Sequence, residues 1–439
     1  MRYPVIKNVI NAVISMFLIS IVTLSCVDDP FNDSNPKQFN PNVSEELATI
    51  VALNFSKSEE FIGNSASELG DVLFKSKGDS TFSGFEEKDI DEIIILSNED
   101  DTPYIYVIKF TPAGFIIVSA TKKDSPILGY SKDTSFDFEN VPLGLAGWFV
   151  GRLYKIDVIK NDDNFEIPVE VSIKWNELAG DGHEWDEIPI TIDDTQLVDW
   201  WTTTVQKAPL LETTWSQGNG YNDLVPALDE ECEDYLNGKP PVGCVATAFA
   251  QVMRYHEYPN EYKWGEMELY EGSYETARLM RDIGHAVNMD YDCEVSIAKT
   301  YLGVFALPQH FGYLNTMIYF NYNIDLIIPE LSENRPVVLS GSRTKKTRKW
   351  WQIFKPKYSY FNGHAWVTDG YKFATIKKEW SDGTVTERSF DYFLHMNWGW
   401  GKWGSQIHDG WYRHDDFTLS NGNNYQYVQK CIVGIQPPN

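Results

Sequence analysis

The stretch GCVATAFAQVMRYHEYP, residues 243–259, constrains the fold more than any other. Val245, Phe249, Val252, Met253 and His256 recur at i, i+4, i+7, i+8 and i+11, the one-sided pattern of an amphipathic helix. Pro259 ends it. Ala246 and Ala248 are small, so whatever layer covers this helix can approach closely. Cys244 stands at its start, facing unpaired backbone N–H groups and the positive end of the helix dipole. Both favour a thiolate and predict a lowered thiol pKa. The helix alone also allows a buried cysteine acting as a small apolar residue.

Length predicts more than one body around this helix: 439 residues suit two or three domains. Residues 44–61 read as a helix, with Ser44 able to cap it and Leu47, Ile50, Val51 and Phe55 near helical spacing. Strand-like runs follow at 91–97, 104–110 and 114–120, separated by turn residues, which suggests a small antiparallel sheet. Residues 161–207 are acidic and irregular, a solvent-exposed connector. The expected organisation is a signal segment 1–25, a tether 26–43, a first domain 44–160, the connector 161–207 and a second domain 208–439. The charge balance, 37 basic against 63 acidic residues, excludes nucleic acid as a partner.

The first residues set the compartment. Arg2 and Lys7 precede an apolar run at 9–23 that is short for a membrane span and fits an export signal. Leu24-Ser25-Cys26 resembles a bacterial lipobox, which implies lipidation of Cys26 and attachment to a membrane. The expected location is the bacterial outer membrane or cell surface, or release after processing. A plain signal peptide, with Cys26 incidental, is the alternative.

Three further segments carry candidate chemistry. In FNGHAWVTDGY, 361–371, Asn362-Gly363 reads as a turn and His364 as the start of a strand. His364 follows Cys244 by about 120 residues, close to the ~130–150 of papain-like pairs. A thiolate and an imidazolium supply a nucleophile and a general acid. In HMNWGWGKWG, 395–404, Asn397 can accept a hydrogen bond from the imidazole, Trp398 can cover that bond, and Gly399 and Gly401 allow a tight turn. In PLLETTWSQGNGYN, 209–222, Gln217 can join the Cys244 N–H in an oxyanion hole.

These segments, in this order, resemble the streptopain family of cysteine peptidases, papain-like enzymes made as secreted precursors. The resemblance covers the second domain and reaches into the first, where GFIIVSA and PILGYS are similar to the family's inhibitory propeptide. It implies an α+β fold, with the helix bearing Cys244 packed on a curved antiparallel sheet and a small α+β prodomain in front. It implies Cys244 as nucleophile, His364 as general base and acid, Gln217 in the oxyanion hole, and Asn397 and Trp398 as the histidine-orienting region. Protein or peptide substrates and the prodomain in cis are the implied partners, and maturation would fall in the connector. The segment MDYDCEVSIAK, 289–299, departs from the family's Gly/Ser-rich loop beside the substrate cleft. Asp292, Cys293, Ser296 and Gly363 are the expected cleft residues, and Cys293 reads either as an oxidation-sensitive thiol or as a buried one.

Other signals are bland. His408-Asp409 and His414-Asp415-Asp416 lack helical ligand spacing, so no metal or other cofactor is expected. His256 reads as a packed core histidine. Cys232 and Cys431 can bridge in an exported protein, although spacing alone does not pair them. Two rival functions share the fold: a non-proteolytic surface binding protein, and a papain-like amidase or acyl transferase.

Overall fold

The computed structural model describes residues 40–58, 61, 83–98, 100–138, 141–180, 197–229, 231–235, 237–346, 358–380, 383–401, 408–414 and 430–438. The export signal, Cys26, most of the tether, and Asp415 and Asp416 lie outside the described residues. The chain divides into two units. The first is drawn from 1–133, 152–202 and 376–388, the second from 134–151, 203–375 and 389–439. Residues 134–151 therefore cluster with the second unit, although sequence reading places them inside the first domain.

The first unit opens with α1, Glu45–Ser56, where the Ser44 hydroxyl accepts the Leu47 N–H as predicted. Ala48, Val51, Ala52 and Phe55 form its buried face. Four strands follow as an antiparallel meander: β1 Ile90–Ser97, β2 Pro103–Phe110, β3 Phe115–Ser119 and β4 Ile127–Ser131. All of β3 is buried, which is why it reads as an unbroken apolar run rather than an alternation. Helix α2, Leu143–Lys160, has its first half in the second unit and its second half in the first.

The connector is not irregular throughout. Val169–Ala179 forms α3, with Val171, Trp175 and Leu178 buried along one stripe. The Trp175 indole N–H donates to the Asp124 carbonyl at 2.7 Å, and the Asn54 amide donates to the Leu178 carbonyl at 2.7 Å. The acidic residues flanking this stripe hide it from a reading by composition. Strand β5, Leu197–Lys207, closes the connector.

The second unit packs helices on an antiparallel sheet. The helices are α4 Cys244–His256, α5 Tyr274–Ala286, α6 Gly303–Phe311 and α7 Ile324–Ser332. The strands are β6 Ile318–Asn321, β7 Val337–Lys346, β8 Tyr358–Trp380, β9 Val385–Asn397, β10 Gly410–Arg413 and β11 Lys430–Val433, in the order β10-β9-β8-β7-β11-β6. Val245, Phe249, Val252 and Met253 of α4 share one core with Val338, Ala365, Val367 and Ile432 of the sheet. Ala246 and Ala248 are fully buried, as close packing requires. This is the expected α+β arrangement, with the helix that starts at Cys244 lying on the strand that carries His364.

Two local expectations fail. Asn362-Gly363 makes no turn, because β8 continues through it. The pairing with β7 shifts from Gly341↔His364 to Arg343↔Phe361, so β8 carries an extra residue just before His364. Such a bulge re-aims the following side chain. The cysteine pairing also differs: Cys232 bonds to Cys293, while Cys431 is a free, buried thiol. Among the described residues no helix is long and apolar enough to cross a membrane.

Candidate active site

Cys244 is the first residue of α4, preceded by Gly243 at φ 88°. That positive φ suits glycine alone, and a β-carbon there would also meet the Met289 sulfur at 2.7 Å and the Ser296 carbonyl at 2.9 Å. Segment 289–297 thus packs directly against the residue before Cys244. Asp290 and Ile297 close it by exchanging two backbone hydrogen bonds of 2.9 Å.

The thiol behaves differently from the sequence expectation. Burial pushes the Cys244 pKa up, and the backbone N–H groups of Ala365, Val245 and Cys244 only partly oppose it. The helix start alone favours a thiolate, but here desolvation wins. The involvement of Ala365 places the thiol beside the residue that follows His364.

His364 is buried. Burial lowers its pKa to about 4, against the effect of the Trp398 carbonyl. That carbonyl accepts the Nε2–H at 2.9 Å, which leaves Nδ1 with a free lone pair. The ring lies parallel to Trp366 with centroids 6.0 Å apart, and edge-on to Trp400 at 5.6 Å. Among the described residues no hydrogen bond joins the Cys244 thiol to the His364 ring. At neutral pH both groups are uncharged here.

The orienting contact corrects the role expected of Asn397. Its side chain does not reach the imidazole: the amide donates to the Thr213 carbonyl at 2.7 Å, and Oδ1 accepts from Gln251 at 2.9 Å and from the Gly399 N–H at 3.2 Å. The backbone of Trp398, one residue on, holds His364 instead. The Trp398 indole is buried between Trp366 and Tyr412, with ring centroids 5.1 and 5.4 Å away.

Gln217 is half-buried, and its carbonyl accepts the Val242 N–H at 2.9 Å, two residues before Cys244. The expected oxyanion glutamine therefore neighbours the nucleophile position. Gly399 and Gly401, at φ 67° and 60°, make the predicted tight turn. A β-carbon on Gly401 would strike Ser216 at 2.2 Å, so this turn packs against the loop bearing Gln217.

Sequence reading missed the residue that ties these pieces together. Gln251, fully buried on α4, accepts from the Thr213 hydroxyl at 3.0 Å and the Trp215 N–H at 3.2 Å, and donates to Asn397. The only available signal was an amide inside an otherwise apolar helix segment. Asp409, taken only as part of a bland His-Asp pair, is also here: its carboxylate accepts the Trp398 N–H at 2.8 Å.

The expected cleft residues divide. Gly363 and Asp292 are exposed, whereas Ser296 is fully buried, its hydroxyl accepting the Asp292 N–H at 3.4 Å. Cys293, sealed in its disulfide, is not a free thiol. His256 is half-buried against the Tyr313 hydroxyl at 3.2 Å, and burial lowers its pKa to about 4.

Residues 215–273 and 261–412 match the peptidase C10 family, and residues 40–152 match the Spi protease inhibitor family. The chain belongs to the peptidase C10 family. It is 25% identical to streptopain from Streptococcus pyogenes over 440 residues, covering 88% of this chain and 93% of that protein. It is also 25% identical to the thiol protease/hemagglutinin PrtT of Porphyromonas gingivalis, over 74% of this chain and 36% of the relative. Among solved structures, a fragment of Prevotella intermedia prointerpain A aligns with 79% of this chain and 99% of the fragment, at 22% identity and a TM-score of 0.49.

The chain is thus the zymogen of a cysteine peptidase, carrying its inhibitor domain in cis. Within the second unit of this C10 precursor, the last part of the inhibitor match lies on the site. A β-carbon on Gly144 would fall 2.8 Å from the Trp398 ring, 3.0 Å from that of Trp366 and 3.1 Å from Cδ2 of His364. The segment is fastened on either side. The Thr134 hydroxyl donates to the Asp409 carbonyl at 2.6 Å, His408 Nε2 donates to the Asp137 carbonyl at 2.8 Å, and the Trp148 indole donates to the Arg413 carbonyl at 3.1 Å.

Proposed function

We propose that the processed enzyme hydrolyses peptide bonds with Cys244 as nucleophile and His364 as general base and acid. What supports this is the match of residues 215–273 and 261–412 to the peptidase C10 family, with Cys244 opening a helix and a buried histidine, His364, whose free nitrogen is Nδ1. His364 Nδ1 takes the thiol proton, and the sulfur forms a bond to the substrate carbonyl carbon. The Gln217 amide and the Cys244 N–H hold the oxyanion. The imidazolium then gives its proton to the leaving amine as the C–N bond breaks. Water, deprotonated by the same ring, attacks the thioester and releases the acid and the thiol.

Activation requires removal of the inhibitor domain by cleavage within 161–207, which frees His364 and Trp398 from Gly144. The precursor is exported and tethered through lipid on Cys26. The basic, apolar, Ser25-Cys26 order of the first residues supports this part of the reading.

Mass spectrometry of wild-type and Cys244→Ala protein recovered from membranes tests these points together. The wild type should self-process in the connector and carry lipid on Cys26, while the variant stays full length but lipidated. Self-processing or proteolysis by Cys244→Ala would refute the nucleophile. An unmodified Cys26 would refute the anchor alone.

A further inference from the structure

We propose that Asp409 is a positioning residue for the peptidase reaction, holding the Trp398 backbone so that its carbonyl aims at His364 Nε2. The two contacts are consecutive. The Asp409 carboxylate accepts the Trp398 N–H at 2.8 Å, and the carbonyl of the same residue accepts the His364 ring N–H at 2.9 Å. One residue therefore carries both bonds, so holding its N–H restrains the residue whose carbonyl, in the next peptide plane, meets the ring, beside Gly399 and Gly401 at positive φ. Asn397, the residue type expected to orient the ring, is occupied by Thr213, Gln251 and Gly399.

Asp409 is buried beside a second carboxylate, Asp369, whose Oδ1 lies 2.6 Å from Nδ1 of His395. Burial raises the Asp409 pKa to about 7, with Asp369 adding to the rise and the Trp398 N–H and His395 opposing it. Lys372, over the Trp411 ring, the Tyr412 hydroxyl and His408 are further titratable groups of this region among the described residues. A carboxylate kept at such a place at this cost does more than fill space.

The inference rests on His364 being the general base. Losing the carbonyl contact removes what supports the protonated ring, so the His364 pKa falls. The acidic limb of the pH–rate profile, where the general base becomes protonated, then moves to lower pH. Among the described residues the aromatic rings against the imidazole are Trp366 and Trp400, neither of which carries a charge.

The test compares wild type, Asp409→Ala and Asp409→Asn, each made as the full chain and matured by immobilised wild-type enzyme that is then removed. Asp409→Ala should lose at least about tenfold in kcat with KM within about twofold, since misplaced catalytic groups cost rate rather than binding. Its acidic limb should move to lower pH. Asp409→Asn, which keeps an acceptor oxygen, should restore both to near wild type. An Asp409→Ala enzyme with wild-type kcat and acidic limb overturns the proposal, as does an Asp409→Asn enzyme equally impaired. If Asp409→Ala does not fold, Asp409→Ser, too short to reach the Trp398 N–H, is held to the same outcomes. A parallel His364→Ala enzyme separates the two readings: turnover by that variant refutes His364 as base, independently of Asp409.

Discussion

Replacing Gln251 by leucine isolates the hub beneath the site. Leucine has similar volume, so the change is mainly chemical. It strips the acceptor from two buried donors, the Thr213 hydroxyl at 3.0 Å and the Trp215 N–H at 3.2 Å. Asn397 Oδ1 loses the Gln251 amide but keeps the Gly399 N–H. Each orphaned donor costs about 1–3 kcal/mol, so the second unit should lose roughly 2–6 kcal/mol. Urea unfolding followed by tryptophan fluorescence, in a Cys244→Ala background that prevents self-digestion, reads this as a lower midpoint at unchanged slope. Adding Thr213→Val should recover about 1 kcal/mol, because the hydroxyl left without an acceptor is gone. In active enzyme kcat should fall as well, since the loops carrying Gln217 and Trp398 are both tied to Gln251. A loss under about 1 kcal/mol, or no coupling to Thr213, would show that these bonds carry no net stability and that the hub reasoning is wrong.

Other consequences are testable on the same protein. Removing the Cys232–Cys293 disulfide as a double alanine variant should destabilise the second unit by up to about 4 kcal/mol, the chain-entropy value for a separation of 61 residues. Urea midpoints with and without reductant check it, and alkylation of both cysteines in unreduced protein would contradict it. In the full-length precursor, iodoacetamide labelling of Cys244 should stay slow at neutral pH and rise only in alkaline solution, because the raised thiol pKa keeps thiolate scarce below it. Rapid labelling at pH 7 counts against a neutral pair. Gly144→Val should speed that labelling, since its side chain cannot fit against Trp398, Trp366 and His364; a rate equal to wild type argues that the segment does not shield the site.

What was legible in the sequence were the features that repeat with a period. The apolar stripe of α4, the cap at Ser44 and the strands of the first unit follow from spacings of 3.6 or 2 along a local stretch. The motif residues Cys244, His364 and Gln217 were found as local words; in the structure the Gln217 carbonyl bonds Val242, two residues before Cys244, and the residue after His364 shares the core of α4. The pairings were not legible. Gln251 and Asn397 are 146 positions apart, and Cys232 and Cys293 are 61 apart. No periodicity encodes which distant side chain satisfies a buried amide or thiol; only the packed core decides it.

The same limit explains the misread thiol. The helix start was visible in the sequence and does place N–H groups at Cys244, yet the sign of the pKa shift is set by how much water remains around the sulfur. In the precursor that amount is small, and the imidazole beside it is desolvated too, so both members of the pair are pushed toward their neutral forms. An ion pair between them would need either water or a closer contact than the precursor provides. Displacing Gly144 and its neighbours would change the solvation of His364, whereas the Trp398–Asp409 and Gln251–Asn397 hydrogen bonds involve no atom of that segment. The hydrogen bonds around His364 are therefore already made in the precursor, and on the proposed mechanism processing should change chiefly the medium in which Cys244 and His364 titrate.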